Sequence, residues 1–200
     1  MSLKWAQLAI AHVRNTVRML SNNREFDTRQ GGGGDVVAAR SLAFTRRQQV
    51  PQDWQKELVA EVSAYVEKRA GNCEEMAKVA FVYLAENGLN PLEVAFFSGV
   101  GGRIRLFGTT NYHDVEPDHA FVIIGRKIGP QEARERTQGI ISIPAVESWK
   151  FGAVICDPWS KRAYLAHKLA LESEMINRVT AGRTRLCSEI RLEEAQQWHG

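Results

Sequence analysis

Midway along the chain the hydrophobic pattern changes its period, and that break constrains the fold more than any other feature. Before Gly88, apolar residues recur at three- and four-residue steps, the spacing of helices with one buried face. After Asn90-Pro91 they gather into short runs rich in β-branched and aromatic residues, bounded by Gly, Pro and Asp, the texture of strands. Helices first, then strands, then a helix make an α+β fold with helices packed on a mostly antiparallel sheet. The alternation of a doubly wound α/β fold is absent.

Leu3, Ala6, Ile10, Val13, Val17 and Leu20 predict a helix over 3–20. Residues 21–50 carry no clean period, and Gly31-Gly32-Gly33-Gly34 resists regular structure. No Gly-Lys-Ser/Thr follows the glycines, so they read as a flexible loop or linker rather than a phosphate cradle. A second helix runs from Pro51 to Ala70 and a third from Asn72 to Asn87, where Gly88 caps it. Strands are expected at 92–97, 103–107, 119–125 and 151–156, with 140–146 ambiguous. Residues 126–139 form a polar excursion, 161–178 are expected to be helical, and 185–198 weakly helical or extended.

The chain of 200 residues suits one compact domain, with a basic N-terminal helix and Gly-rich flexible segment over 1–50 leading into 51–200. Apolar residues at 44% and charged residues at 24% exclude disordered and fibrous classes. The net charge of +3 is too small to imply nucleic-acid binding, although residues 1–50 hold eight Lys/Arg against three Asp/Glu, a surplus suited to an anionic surface. Cys73, Cys156 and Cys187 are too few and too scattered for a disulfide framework or a zinc ribbon, so reduced thiols are expected. No apolar run is long enough to span a membrane, and Lys4, His12, Arg14 and Arg18 interrupt what a secretory signal would need.

Three segments carry chemistry. In Gly71-Asn72-Cys73-Glu74-Glu75 a cysteine opens a helix, where the macrodipole and free backbone N–H groups favour a thiolate and a developing oxyanion. Glu74 and Glu75 oppose that charge. In Asp118-His119-Ala120-Phe121-Val122 a histidine opens an apolar strand. In Ile155-Cys156-Asp157-Pro158-Trp159 an acid closes one. If the two strands are antiparallel, Asp157 lies beside His119 and fixes its tautomer. Nucleophile, base and orienter then make a Cys73–His119–Asp157 triad, its members spaced 46 and 38 positions apart. His113 is a weaker alternative base. Zinc on Cys73, His119, Cys156 and Asp157 is disfavoured, because Cys156 and Asp157 point to opposite strand faces. Trp159 reads as core or as a shield of the triad from water.

These motifs and their order resemble the papain-like and transglutaminase-like cysteine enzymes over roughly residues 52–165, most nearly the bacterial YopT/AvrPphB-like effector proteases and papain-like toxin domains. The resemblance implies that Cys73 is the nucleophile, His119 the general base and acid, and Asp157 the orienter, with 51–200 the catalytic domain. It also implies a protein substrate and no cofactor or metal. The chain departs from those proteases in a shorter Cys-to-His and a longer His-to-Asp interval. No glutamine stands out as the side-chain oxyanion donor; Gln48, Gln49, Gln52, Gln55 and Asn72 all remain candidates. A thioester formed at Cys73 serves a protease, a glutamine deamidase or transglutaminase, or an acyltransferase, in that order of preference. A non-catalytic binding protein on the same fold is the rival from another class. The expected location is the cytoplasm, or export by a dedicated bacterial secretion system without a cleavable signal.

Overall fold

The computed structural model describes residues 2–23, 27–28, 35–99, 104–105, 112–113, 116–137, 143–144, 146–149, 152–172 and 185–200. The glycine run lies outside them. Helix α1 (Ser2–Ala11) passes into a π-helical turn, His12–Thr16. Then come α2 (Val36–Gln48), α3 (Trp54–Lys68) and α4 (Cys73–Glu86). The strands follow as β1 (Leu92–Gly99), β2 (Ile104–Arg105), β3 (Tyr112–His113) and β4 (Glu116–Ile124). Helix α5 (Pro130–Thr137) precedes β5 (Val154–Asp157) and β6 (Arg162–Leu165), and α6 (Leu169–Glu172) precedes β7 (Arg185–Leu192). This is a mixed α+β fold. Its five-stranded sheet has the order β6-β5-β4-β1-β7, antiparallel at each step, and β2 and β3 form a separate pair.

Strand alternation divides the core. Val94, Phe96, Ala120, Val122, Ile124, Val154 and Cys156 pack with α1, α3 and α4. Ala95, Phe97, Phe121, Ile123 and Ile155 pack on the other side with Ile143, Tyr164 and Leu169. Helix α4 is the central helix, with Met76, Ala77, Ala80, Phe81 and Leu84 wholly buried.

Four segments differ from the expectations of the sequence. The first helix does not reach Leu20: Arg18 takes a left-handed φ of 61°, and Leu20 then bridges in parallel to Ala70. Residues 36–48 are helical because Asp35 caps the segment by accepting the Ala38 N–H at 2.8 Å. Its buried stripe is only Val36, Ala39 and Ala43, too small to register as a period. Residues 130–137 form a helix whose polar composition leaves no apolar stripe to read. Residues 162–165 are a strand rather than the start of a helix. Lys161, at φ 62°, turns the chain back so that β6 pairs with β5. Among the described residues no helix is long and apolar enough to cross a membrane.

Two sheet strands, β1 and β7, and the chain after β4 meet at a buried ionic cluster. The Glu93 carboxylate is fully buried and accepts two bonds from Arg126, at 2.8 and 2.9 Å, and one from Arg191 at 3.1 Å. Removing the anion takes away the fully buried partner shared by two guanidinium groups, leaving Arg126 to Glu132 and Arg191 to the more exposed Glu193. Glu93→Ala is expected to cost about 3–5 kcal/mol in urea unfolding, well beyond the loss from an exposed ion pair such as Lys127–Glu194.

Candidate active site

Cys73 is the first residue of α4. Asn72 caps the helix and Glu75 completes a capping box, its carboxylate accepting the Asn72 N–H at 2.8 Å. Gly71 is required by a close approach: a Cβ there would lie 2.5 Å from the Glu75 Cβ and 2.7 Å from the Met19 Cε. The neighbour that needs the glycine is therefore this chain itself, not a substrate. The Gly71 N–H donates to the Leu20 carbonyl at 3.1 Å and the Leu20 N–H to the Arg69 carbonyl at 3.0 Å. Cys73 thus emerges half-buried from a loop clamped by the N-terminal segment.

The β4–β5 register carries the rest. Val122 pairs with Cys156 and Ile123 with Ile155. Continued by one step, Asp157 stands opposite Phe121 and diagonal to His119, with both side chains on one face. The His119 Nε2 and the Asp157 Oδ2 are 2.7 Å apart, and both residues are buried. The other Asp157 oxygen accepts the Ser160 N–H at 3.0 Å, which holds the carboxylate in place. Cys73 hydrogen-bonds to the same imidazole. Since Nε2 faces the carboxylate, Nδ1 is the nitrogen left for the sulfur.

Burial alone would lower the His119 pKa. The Asp157 charge and hydrogen bond, with a further contribution from Cys73, outweigh it and raise the value from 6.5 to about 10. Cys156, one residue from the acid, points to the other face and donates to the Ala6 carbonyl at 3.5 Å. Burial pushes its thiol up, with the Asp157 charge adding to the effect. The three predicted triad residues are therefore brought together, and Cys156 stands apart from them. His113 lies in β3, and its side chain is outside the described part.

The sequence reading missed the contribution of the N-terminal segment. Trp159, in the turn after β5, brings its ring edge-on to the imidazole at 5.3 Å between centroids. The indole N–H reaches the Asn23 Oδ1 at 3.0 Å and the Ser21 hydroxyl at 3.3 Å. That hydroxyl lies 2.8 Å from the Asn72 Oδ1 and also contacts the Asn23 Oδ1. Asp27, fully buried, fixes the segment by accepting the Ser21 N–H at 3.0 Å and pairing with Arg14 at 2.6 Å. Asn23 itself is exposed, with its Oδ1 facing the Trp159 indole N–H and the Ser21 hydroxyl. Of the expected oxyanion donors, Asn72 engages its Oδ1 as the helix cap. Gln55 is bound to the C-terminal tail through Gln197 and His199. The local signal for Ser21 and Asn23 was only a polar pair after a helix.

Comparisons with family models, curated proteins and solved structures returned no match.

The raised His119 pKa sets the sign of a pH effect. Its folded value lies above the ordinary 6.5, so the His119–Asp157 pair stabilises the protein fully below about pH 6.5 and loses that contribution as pH rises through about 10. Asp157→Asn is expected to lower the melting temperature more at pH 6 than at pH 10. Equal losses at both pH values would remove the charged pair.

Proposed function

We propose that the chain is a cysteine-dependent acyl-transfer enzyme of papain-like or transglutaminase-like type, acting foremost as a protease on a protein substrate. The observation that carries this reading is the single imidazole shared by a carboxylate at 2.7 Å and by a cysteine at the start of a helix. Each neighbour supplies what the others need. The carboxylate orients and charges the ring, the ring holds the thiol proton, and the helix start favours a negative sulfur.

In the first half-reaction the Cys73 sulfur attacks the acyl carbon. The S–C bond forms, negative charge builds on the carbonyl oxygen, and the C–N bond breaks as the His119 imidazolium gives its proton to the leaving amine. The backbone N–H groups at the start of α4 are the donors offered to the oxygen. In the second half-reaction water, deprotonated by His119, attacks the thioester, releasing the acid and returning the thiol. Asp157 keeps the ring in one tautomer throughout, and Trp159 covers its edge against solvent.

Acyl-enzyme formation with p-nitrophenyl acetate, followed by intact-mass spectrometry, tests the first half-reaction. A single acetyl group on Cys73 is expected, lost in Cys73→Ser and slowed by several powers of ten in Asp157→Asn. Dimethylated casein then separates the outcomes. New N-termini are expected; ammonia release, or incorporation of an added amine, would move the assignment to deamidase or transglutaminase. Acylation no faster in the parent than in Cys73→Ser would leave the binding-protein reading ahead.

A further inference from the structure

The start of α4 presents an electrostatic conflict. Cys73 needs the positive end of the helix for its own charge, yet the next two residues, Glu74 and Glu75, are acids placed in the same first turn. Each has been given a cation from elsewhere. The Lys78 ammonium, 3% exposed, lies 2.6 Å from the Glu74 carboxylate. The Arg40 Nε on α2 lies 2.6 Å from the Glu75 carboxylate, whose side chain is 2% exposed.

We propose that Lys78 and Arg40 are positioning residues for the nucleophile, neutralising the two carboxylates that flank Cys73 so that the helix end and the His119 imidazolium set the charge on the sulfur. This rests on the reading of Cys73 as the nucleophile and adds how that nucleophile is tuned.

The surroundings of the two cations suit this role. Lys78 also faces Glu61 on α3 at 3.1 Å and Glu189 on β7 at 3.0 Å. The Tyr65 hydroxyl of α3 donates to that Glu61 oxygen at 2.6 Å, and Arg47 of α2 reaches Glu61 at 3.4 Å and Glu57 at 3.0 Å. Three carboxylates thus share one ammonium, and positive charge is scarce here. Burial accordingly raises the Glu189 pKa to about 7, against the pull of Lys78. Even so, the Lys78 charge holds Glu74 below the ordinary carboxylate range. Arg40 is raised above its usual value, first by its hydrogen bond to Glu75. Because that same Glu75 carboxylate receives the Asn72 N–H, Arg40 also steadies the cap on which Cys73 is mounted.

A structural cation and a tuning cation differ in one readout, the pH profile of Cys73 alkylation by iodoacetamide. Arg40→Gln changes a half-exposed side chain and is the variant least disturbing to the fold. It is expected to move the acid limb of the profile upward by roughly half to one pH unit, a three- to tenfold slower rate at fixed pH on that limb. Arg40→Lys restores it in part. Lys78→Met is expected to shift the limb in the same direction, and adding Glu74→Gln to reverse the shift. Where Lys78→Met does not fold by circular dichroism, Glu74→Gln alone carries that arm, with an expected shift downward. Arg40→Gln and Glu74→Gln profiles that superpose on the parent's, with the fold intact, overturn the proposal. A parent profile lacking any acid limb below the free-thiol range of about 8.5 instead overturns the nucleophile reading itself, so the two failures are distinguishable.

Discussion

The antiparallel register between β4 and β5 is the constraint from which the candidate site follows. Two ladder pairs, Val122 with Cys156 and Ile123 with Ile155, fix which side of the sheet every neighbouring side chain occupies. The same register sets Asp157 diagonal to His119, and Trp159 follows in the turn after β5. A slip of one residue would exchange Asp157 for Cys156 or Pro158 on that face, and the imidazole would lose its carboxylate. The register is held by burial on both faces of β5, whose four residues are all buried, so the packing that forms the core also aligns the polar groups.

Much of this was legible in the sequence because it depends on local pattern. The α+β layout followed from the change of period at Gly88, and α3, α4, β1, β4 and β5 followed from apolar spacing. The meeting of Cys73, His119 and Asp157 followed from three local facts, a helix start, a strand start and a strand end, together with an assumed antiparallel pairing. What escaped lacked local expression. Helix α2 buries a stripe containing two alanines, and α5 carries no apolar stripe. The short β6 is defined by its pairing with β5, not by its own composition.

The N-terminal segment escaped for a related reason. Ser21 and Asn23 acquire their meaning from Trp159 and Asn72, residues far along the chain, and no periodicity announces such contacts. Gly71 shows the same limit. The groups that crowd it, the Met19 side chain and Glu75, become apparent only in the fold. The clash between Glu74, Glu75 and a thiolate was also apparent from the sequence. Its resolution by Lys78 and Arg40 depends on helix faces and on a second helix.

The span of these contacts bears on the order in which the protein is made. Cys73 leaves the ribosome with its helix, cap and flanking cations already synthesised. His119 follows 46 residues later, Asp157 another 38, and Trp159, which ties the ring to Asn23 across 136 residues, comes after both. Such long-range pairings form late, because the chain must close large loops before they stabilise anything. The growing chain therefore carries the thiol through much of its synthesis without the charged imidazole beside it. The imidazole acquires its carboxylate and its covering indole only once β5 and the turn after it have been made, so the thiol is the first of these groups to emerge and the last to gain its full surroundings.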